Sequence, residues 1–382
     1  MEMMGYLRRN GKKGIRNLLV VASTVACSNS VARRVAQITD TVVINHESGC
    51  MDPTEKINRT RLILKRIAEH PNVGAIVFIG LGCENIDAEE IAKELEVTAD
   101  KPIGWVRIQD EGGTTKTIEK AVDIVNKFET ILDTQKRVPM DPSELCIGVQ
   151  CGGSDWTSAL AGNTSIGYVV DKLIDNGGTV LYGRIEGIIG SERVLASRSA
   201  CPEVGKSIME MVMRLKEDFY LENGQYIEDI NPTPGNKAGG ITTLLEKSVG
   251  NIKKSGTCPI TGIIRFGEQI PDRGMWFLDA KIPGPDIYGL SAYAIHGCHL
   301  TIFSSGLGNP IGCAIIPALK LTGNAETFQK LEENFDFDAS PIIRGVSIEK
   351  VGVDLYNLMI KIVNGQLTRA ELLDFQEFGF PY

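Results

Sequence analysis

Apolar and polar positions follow two alternating periods along the first part of the chain. Short apolar runs of the kind that form buried strands occur at 17–24, 41–46, 73–80, 103–109 and 144–150. Between them lie segments whose apolar residues recur at helical spacing, at 30–38, 53–70, 87–97 and 114–132. Strands that alternate with helices in this way favour a parallel sheet covered by helices. The pattern predicts an α/β fold with a doubly wound, mostly parallel sheet in the N-terminal half.

The pattern in the second half is less regular but also mixes helix and strand. Strand-like runs occur at 179–187, 258–267, 274–280 and 298–305, and long helical patterns at 168–178 and 201–224. Dense Pro and Gly at 225–240 are typical of loops and would suit a further boundary. We predict an N-terminal α/β domain at 1–140 and a C-terminal α/β domain at 141–382. The second domain carries glycine-rich substrate loops and a helical, peripheral tail from about residue 341.

Polar loops follow all five predicted strands of the first half. In a parallel sheet the carboxyl ends of the strands meet at one edge, and ligands bind in the crevice beyond it. We therefore expect the five loops to converge on a single rim. Their notable residues are, in chain order, Cys27, His46, Cys50, Cys83, Gly112, Gly113, Cys151, Gly152, Gly153, Ser154 and Asp155.

The cysteines in these loops are candidate metal ligands. Thiolates suit iron, zinc or an iron–sulfur cluster, and neighbouring strand ends can bring ligands together from separate segments. Four cysteines stand beside Gly, Asn, Asp or Glu at strand ends, namely Cys27, Cys50, Cys83 and Cys151. His46 could join them, or could be a simple hydrogen-bonding residue. For the other five cysteines we favour a role as small apolar side chains.

Composition and charge exclude several classes of function. The net charge is −8, and no stripe of Lys and Arg is present, so nucleic acid is not an expected partner. No run of 18 apolar residues occurs, so no membrane span is predicted. The nine cysteines include no C-x-x-C pair, which favours reduced thiols in a cytoplasmic protein.

Two further glycine-rich segments are candidate binding loops. The segment 231–250 contains Asn236, Lys237, Lys247 and Ser248, and its lysines could bind an anionic substrate, although a plain linker is the alternative. The run "GLGNPIG" at 306–312 follows an apolar strand and could be a nucleotide loop. Its spacing differs from the dinucleotide fingerprint by one residue.

Several motifs occur together in one order along the chain. They include "ACSNSVARRVA", "HESGC", "GLGCE", "QDEGGTTKTI", "CGGSDWTSALAGN", "PGNKAGGITTLLEKSVG" and "FDFDASPI". This set resembles the large catalytic portion of the altronate/galactarate dehydratase family, over roughly residues 5–345. The same portion is similar to the large subunit of sulfolactate sulfo-lyase. Where relatives tend to show "TGRGS", this chain has "SGLGN" at 305–309, which removes an arginine suited to clamping a carboxylate.

The resemblance implies a metal-dependent lyase that eliminates water, or sulfite, from a small hydroxy acid. The implied cofactor is a divalent metal, Fe²⁺ in the first place, with Mn²⁺ or an iron–sulfur centre as alternatives. Family members often carry a small extra domain or a separate small subunit, so we expect a small partner subunit here, and also a homo-oligomer. The alternatives are a nucleotide-dependent oxidoreductase that uses "GLGNPIG" and a non-catalytic sugar-acid-binding subunit.

The candidate roles follow from combining the loops with this resemblance. The cysteines Cys27, Cys50, Cys83 and Cys151 hold or adjoin the metal. The catalytic candidates are Lys237, Lys247, Asp155 and His46, with one of the two lysines as base or anion partner. The substrate-binding candidates are Gly112, Gly113, Gly152, Gly153, Ser154, Asn163, Asn236 and Ser248.

Overall fold

The strands form three separate sheets in a computed structural model that describes residues 2–99, 101–280 and 284–381. The strands are β1 (Met3–Leu7), β2 (Lys13–Gly14), β3 (Leu18–Ser23), β4 (Val42–Ile44), β5 (Val73–Gly80), β6 (Ile103–Arg107), β7 (Arg137–Met140), β8 (Cys146–Cys151), β9 (Thr179–Tyr182), β10 (Ile260–Arg265), β11 (Gly274–Asp279), β12 (Leu300–Ser304), β13 (Ala318–Thr322) and β14 (Phe337–Asp338).

Helices connect and cover these strands. They are α1 (Asn29–Thr39), α2 (Thr54–Glu69), α3 (Ala88–Thr98), α4 (Thr114–Asp133), α5 (Asn163–Asp175), α6 (Glu192–Ala196), α7 (Pro202–Asn223), α8 (Ile227–Ile230), α9 (Pro234–Ala238), α10 (Leu244–Asn251), α11 (Asp286–Ile295), α12 (Ala325–Lys330), α13 (Ile348–Val363) and α14 (Arg369–Leu372). Within the described ranges, no helix is long and apolar enough to cross a bilayer.

The first sheet is parallel and has helices on both faces. Its order is β4-β3-β5-β6, and every pair of neighbours is parallel. The central strand β5 is buried along its whole length, as expected for an apolar run covered on both sides. Helices α1 and α4 pack on one face and α2 and α3 on the other. The predicted doubly wound sheet is confirmed in residues 18–107.

The second sheet is larger and also parallel. Its order is β10-β11-β9-β8-β12-β13-β14. One face packs against apolar residues of α5, α7 and α13, and α11 covers part of the other face, where it also meets α2. The predicted second α/β unit is therefore present, whereas the domain boundary at 140/141 stays a prediction.

The strand β8 lies in the second sheet, where it pairs with β9 and β12. The expectation that five loops share one rim is therefore wrong. Four of those loops follow strands of the first sheet. The fifth, which begins at Cys151, follows a strand of the second sheet. An apolar strand such as β8 would be buried whichever of the two parallel sheets it joined. Its local pattern therefore did not identify the strands with which it pairs.

Two further segments contribute to the core. The polar, Pro-containing stretch after α4 contains β7, which pairs antiparallel with β1. The Arg137 guanidinium supports that pairing by donating to the carbonyl oxygens of Met4, Ile15 and Val363. The tail was predicted to be peripheral, but α13 packs against α5 and buries Leu355.

Candidate functional site

A cavity of about 390 Å³ opens beyond the carboxyl ends of β8 and β9. Its wall is formed by the turn after each strand, by the segment between α8 and the 3₁₀ turn Ile252–Ser255, and by the start of α11. Adjacent parallel strands end side by side here, which is where open α/β sheets bind ligands. Five of the predicted site residues line this cavity, namely Cys151, Gly152, Gly153, Asn236 and Lys247.

The turn after β8 needs glycine at two positions. A β-carbon at Gly152 would collide with the carboxylate of Asp286, so only glycine lets that carboxylate approach the turn. Gly153 has a φ of 60°, in the left-handed region that glycine adopts easily. The N–H of Gly152 donates to the carbonyl oxygen of Ser304 at 3.0 Å, so this N–H is already paired within the protein. The N–H of Gly153 has no acceptor among the described residues.

Lys247 reaches the cavity from α10. Its Nζ donates to the side-chain oxygens of Asn231 and Asn236, each at 2.8 Å. The Asn236 amide nitrogen donates in turn to the carbonyl oxygen of Ser154 at 2.8 Å, which ties this loop to the turn after β8. Burial lowers the pKa of Lys247. Two amide oxygens thus hold the Lys247 ammonium in the cavity wall, and one of these amides is itself tied to the glycine-rich turn after β8.

Lys254 is a second cavity lysine and is almost fully buried, at 2% exposed. Its Nζ lies 3.4 Å from Cys151 Sγ and also contacts Asn251 Oδ1. The Cys151 thiol lies 2.8 Å from the same amide oxygen. Burial lowers the pKa of Lys254, and the contact with Cys151 partly opposes this effect. In the part of the chain that the structure describes, neither Lys247 nor Lys254 has a carboxylate at ion-pair distance.

Arg184, also in the cavity wall, forms the centre of an ion-pair network. Its Nε lies 2.6 Å from Glu186 Oε1, and its Nη1 lies 2.9 Å from Asp286 Oδ1. Burial disfavours its charge, but the two carboxylates outweigh burial and raise the pKa of Arg184. The backbone of Arg184 has φ 71°, an unusual value for a residue with a side chain. Such conformations cluster at functional sites.

The carboxylate of Asp286 has further donors. Gln150 Nε2 lies 3.1 Å from Asp286 Oδ1, and Asn309 Nδ2 lies 3.0 Å from Asp286 Oδ2. Asn309 belongs to "SGLGN", so this motif supports the cavity residue Asp286 through an amide. The loop's other glycines pack against protein: a β-carbon at Gly308 would meet Leu331, and one at Gly312 would meet Phe375. This packing does not favour the nucleotide-loop interpretation.

Sequence reasoning missed several cavity residues. They are Gln150, Arg184, Glu186, Asn231, Asn251, Lys254 and Asp286. Arg184 and Glu186 follow β9 just as Cys151 ends β8, so the rule about strand ends could have found them. Lys254 and Asp286 gave no such signal, because one lies in a short charged turn and the other starts a helix.

Five other predicted site residues do not line the cavity, and four of them are buried. Asp155 Oδ1 accepts from Thr157 Oγ1 at 2.6 Å and from the N–H of Ser158 at 3.0 Å, while its Oδ2 accepts from Asn324. It thus anchors the start of the π-helix Ser158–Gly162. The remaining predicted members are Ser154, Asn163 and Ser248, which are buried, and Lys237, which is exposed on α9.

The remaining predicted residues lie at the rim of the first sheet. His46 Nε2 donates to the carbonyl oxygen of Ser23 at 3.0 Å, and its Nδ1 accepts from the N–H of Ser48 at 3.1 Å. Burial lowers the pKa of His46 to about 4, so the ring is neutral at pH 7. This geometry favours the hydrogen-bonding role. The other rim residues are Cys27, Cys50 and Cys83, which are exposed, and Gly112 and Gly113.

The predicted metal-ligand set is not assembled. Across residues 2–99, 101–280 and 284–381, no three His, Cys, Asp or Glu side chains are grouped so as to hold a metal ion. The reason is topological, because Cys151 ends a strand of the second sheet while Cys27, Cys50 and Cys83 follow strands of the first. Cys151 contacts an amide and an amine instead.

The cavity combines groups that suit proton transfer beside an anion. Lys247 supplies a fixed ammonium, Lys254 a buried amine beside a thiol, and Arg184 a guanidinium held by two carboxylates. Cations in a recessed site stabilise negative charge that develops on a bound substrate. A buried lysine with a lowered pKa also suits a general base.

Comparisons with known proteins agree over both halves of the chain. Residues 142–381 match the family described as D-galactarate/Altronate dehydratase, C-terminal, and residues 5–133 match D-galactarate dehydratase/Altronate hydrolase, second domain. The chain is 33% identical to altronate dehydratase of Escherichia coli, over 99% of this chain and 77% of that protein. It is 32% identical to altronate dehydratase of Bacillus subtilis, over 98% and 76%.

A third relative is a subunit by name. The chain is 30% identical to (2R)-sulfolactate sulfo-lyase subunit beta of Chromohalobacter salexigens, over 98% of this chain and 96% of that protein. The family matches cover residues that contribute the motifs and residues that line the cavity. They confirm the resemblance noted from the sequence, and the chain belongs to the D-galactarate/altronate dehydratase family.

Proposed function

We propose that the protein is a lyase that eliminates water, or sulfite, from a small hydroxy acid bound in the cavity beyond β8 and β9. Altronate, galactarate and sulfolactate are the candidate substrates, because relatives carry these names. The observation that carries the proposal is that Lys247 and Lys254 line one cavity. Among the residues that the structure describes, neither lysine has a carboxylate at ion-pair distance. Such a site attracts a small organic anion.

The reaction class agrees with this arrangement. Removal of a proton beside a carboxylate places negative charge on the carboxylate oxygens, and a fixed ammonium lowers the energy of that state. Lys247 supplies such an ammonium, held by two amide oxygens rather than by solvent. In the same cavity, Arg184, Glu186 and Asp286 provide polar groups for the substrate hydroxyls. The cavity volume of about 390 Å³ suits a small acid.

A metal requirement is part of the proposal, and Fe²⁺ is the metal that the family resemblance favours. If bound, a divalent metal would supply Lewis-acid stabilisation of the substrate oxygens. The described residues do not present a grouped donor set, so no step is assigned to the metal. A small partner subunit is also proposed, and its support is the relative named subunit beta, which the chain matches over 96% of that protein's length. We propose a cytoplasmic location.

The direct test is turnover with a panel of acids. The protein is purified anaerobically, with metal analysis and a search for a co-purifying small subunit. It is then assayed, with and without added Fe²⁺, on altronate, galactarate and sulfolactate for a 2-oxo acid and for sulfite. We expect one acid to be converted. If iron-loaded, partner-supplemented protein converts none of them, the lyase assignment is wrong.

A further inference from the structure

The two lysines of the cavity are held in different ways. Lys247 donates to two side-chain amide oxygens, Asn231 Oδ1 and Asn236 Oδ1, at 2.8 Å each. Two such acceptors favour the charged ammonium over the neutral amine, because the ammonium is the stronger donor. Lys247 is therefore suited to binding an anion and poorly suited to accepting a proton.

Lys254 is more deeply buried than Lys247, and its amine contacts a sulfur in place of a second amide oxygen. Its amine contacts the amide oxygen of Asn251, and it lies 3.4 Å from the sulfur of Cys151 and 5.0 Å from the centroid of the Tyr182 ring. The Asn251 amide nitrogen donates to Tyr182 Oη at 2.9 Å and to the carbonyl oxygen of Gly187, so its oxygen is turned toward Lys254. Burial disfavours the charged form of an amine, so the more deeply buried of the two lysines is the better candidate to accept a proton.

We propose that Lys254 is the general base of the reaction and that Cys151 is a positioning residue, which holds the Lys254 amine in place. This assignment rests on the proposed lyase function. Lys247 then binds the substrate carboxylate. The sequence left open whether Lys237 or Lys247 is the base or the anion partner. In this proposal Lys254 is the base and Lys247 is the anion partner.

In the elimination of water, Lys254 can both remove the proton and return it, so no further proton donor or acceptor is needed. The neutral amine of Lys254 takes the proton from the carbon next to the carboxylate, and the electron pair of that C–H bond forms a carbon–carbon double bond. The C–O bond on the neighbouring carbon breaks, and the leaving hydroxyl takes the proton back from the Lys254 ammonium and departs as water. The resulting enol becomes a 2-oxo acid. When sulfite leaves, it needs no proton, and Lys254 releases its proton to solvent.

The test compares Lys254→Arg with Lys254→Ala and with the wild type. Arginine keeps the positive charge but does not deprotonate near neutral pH. We expect kcat of Lys254→Arg to fall by about 10²- to 10⁴-fold, with a much smaller change in KM. Lys253→Arg is the matched control, because Lys253 is an exposed neighbour in the same turn, and its kcat should equal that of the wild type. Circular dichroism verifies that each variant is folded.

Two readouts separate a base from a structural lysine. Added small primary amines should restore part of the activity of folded Lys254→Ala, since they can enter the space left by the side chain. In Cys151→Ala the contact that positions the Lys254 amine is lost, so kcat should fall with little change in KM, and Cys151→Ser, which keeps a hydrogen-bonding group there, should recover part of the kcat.

Each outcome decides the proposal. If the wild type is active and Lys254→Arg keeps its kcat, Lys254 is not the base, although the protein remains a lyase. A folded Lys254→Ala that no amine rescues, together with an unchanged kcat in Cys151→Ala, also overturns the assignment. If the wild type converts no acid, both the lyase function and the base assignment are wrong.

Discussion

The carboxylate of Asp286, at the start of α11, occupies the space that a β-carbon at Gly152 would need. Asp286 Oδ1 also lies 2.9 Å from Arg184 Nη1, and Asp286 Oδ2 accepts from Asn309 Nδ2 at 3.0 Å. One small residue after β8 thus lets three elements, distant in the chain, share one carboxylate. The wall of the cavity depends on this close approach.

Gly152→Ala should therefore disrupt the site. The added methyl group must displace Asp286 and loosen its contact with Arg184, so we expect loss of most of the activity. Overpacking should also lower the free energy of unfolding by about 1–3 kcal/mol. Turnover and urea unfolding measure the two effects. Gly235→Ala is a suitable comparison, since its β-carbon would meet only the flexible end of Leu307, at 3.3 Å. Equal effects of both substitutions would contradict this account.

Asp286→Asn tests the ion pair with Arg184. The pair is only partly shielded, at 18% and 19% exposed, so its loss should cost less than the about 3–5 kcal/mol expected for a fully buried pair. We expect a lower melting temperature and a lower kcat/KM. Asp279→Asn breaks the more exposed pair with Arg214, where a loss below about 1 kcal/mol is expected. If Asp279→Asn is the more damaging change, the network at Arg184 does not support the site.

Lys247→Met should weaken substrate binding. A hydrogen bond to a charged group contributes about 1.5–3 kcal/mol, so we expect the Kd for the substrate acid to rise about 10- to 150-fold. Titration calorimetry with the acid that the wild type converts measures the change. Lys237→Met is the informative comparison, because Lys237 was predicted beside Lys247 but is exposed on α9. A larger rise in Lys237→Met than in Lys247→Met would reverse the roles of the two lysines.

Acid should destabilise the fold through buried histidines. Burial lowers the pKa of His46 from 6.5 to about 4, so the unfolded chain binds a proton more readily than the folded one in this range. The stabilisation from a neutral His46 is complete above pH 6.5 and is lost as the pH falls toward 4, by about 3 kcal/mol. His70, His296 and His299 change in the same direction.

Denaturant unfolding between pH 7.5 and pH 4 measures this dependence. His46→Gln should make the free energy of unfolding fall less steeply with acid than in the wild type, while the other three histidines keep part of the slope. An identical slope in the variant would show that His46 does not titrate as its burial indicates.

Local pattern was enough for most elements and for the family resemblance, but not for the assembly of the site. The run at 73–80 was predicted as a strand because it is apolar throughout, and β5 has those bounds. The partners of β8 were missed because a strand buried on both faces has the same composition in either sheet. Arg184 and Asp286 are separated by 102 positions, and only the folded chain brings them together. Lys254 was missed because a Lys-Lys pair in a polar turn is usually exposed.

The central claim is that the acid binds beyond β8 and β9, and a crystal structure with bound substrate tests it most directly. The Lys254→Arg protein should retain the acid unreacted when crystals are soaked with whichever of altronate, galactarate or sulfolactate the wild type converts. The account predicts the substrate carboxylate within hydrogen-bonding distance of Lys247 Nζ. Substrate ordered instead at the rim of the first sheet, beside Cys27, Cys50 and Cys83, would contradict it.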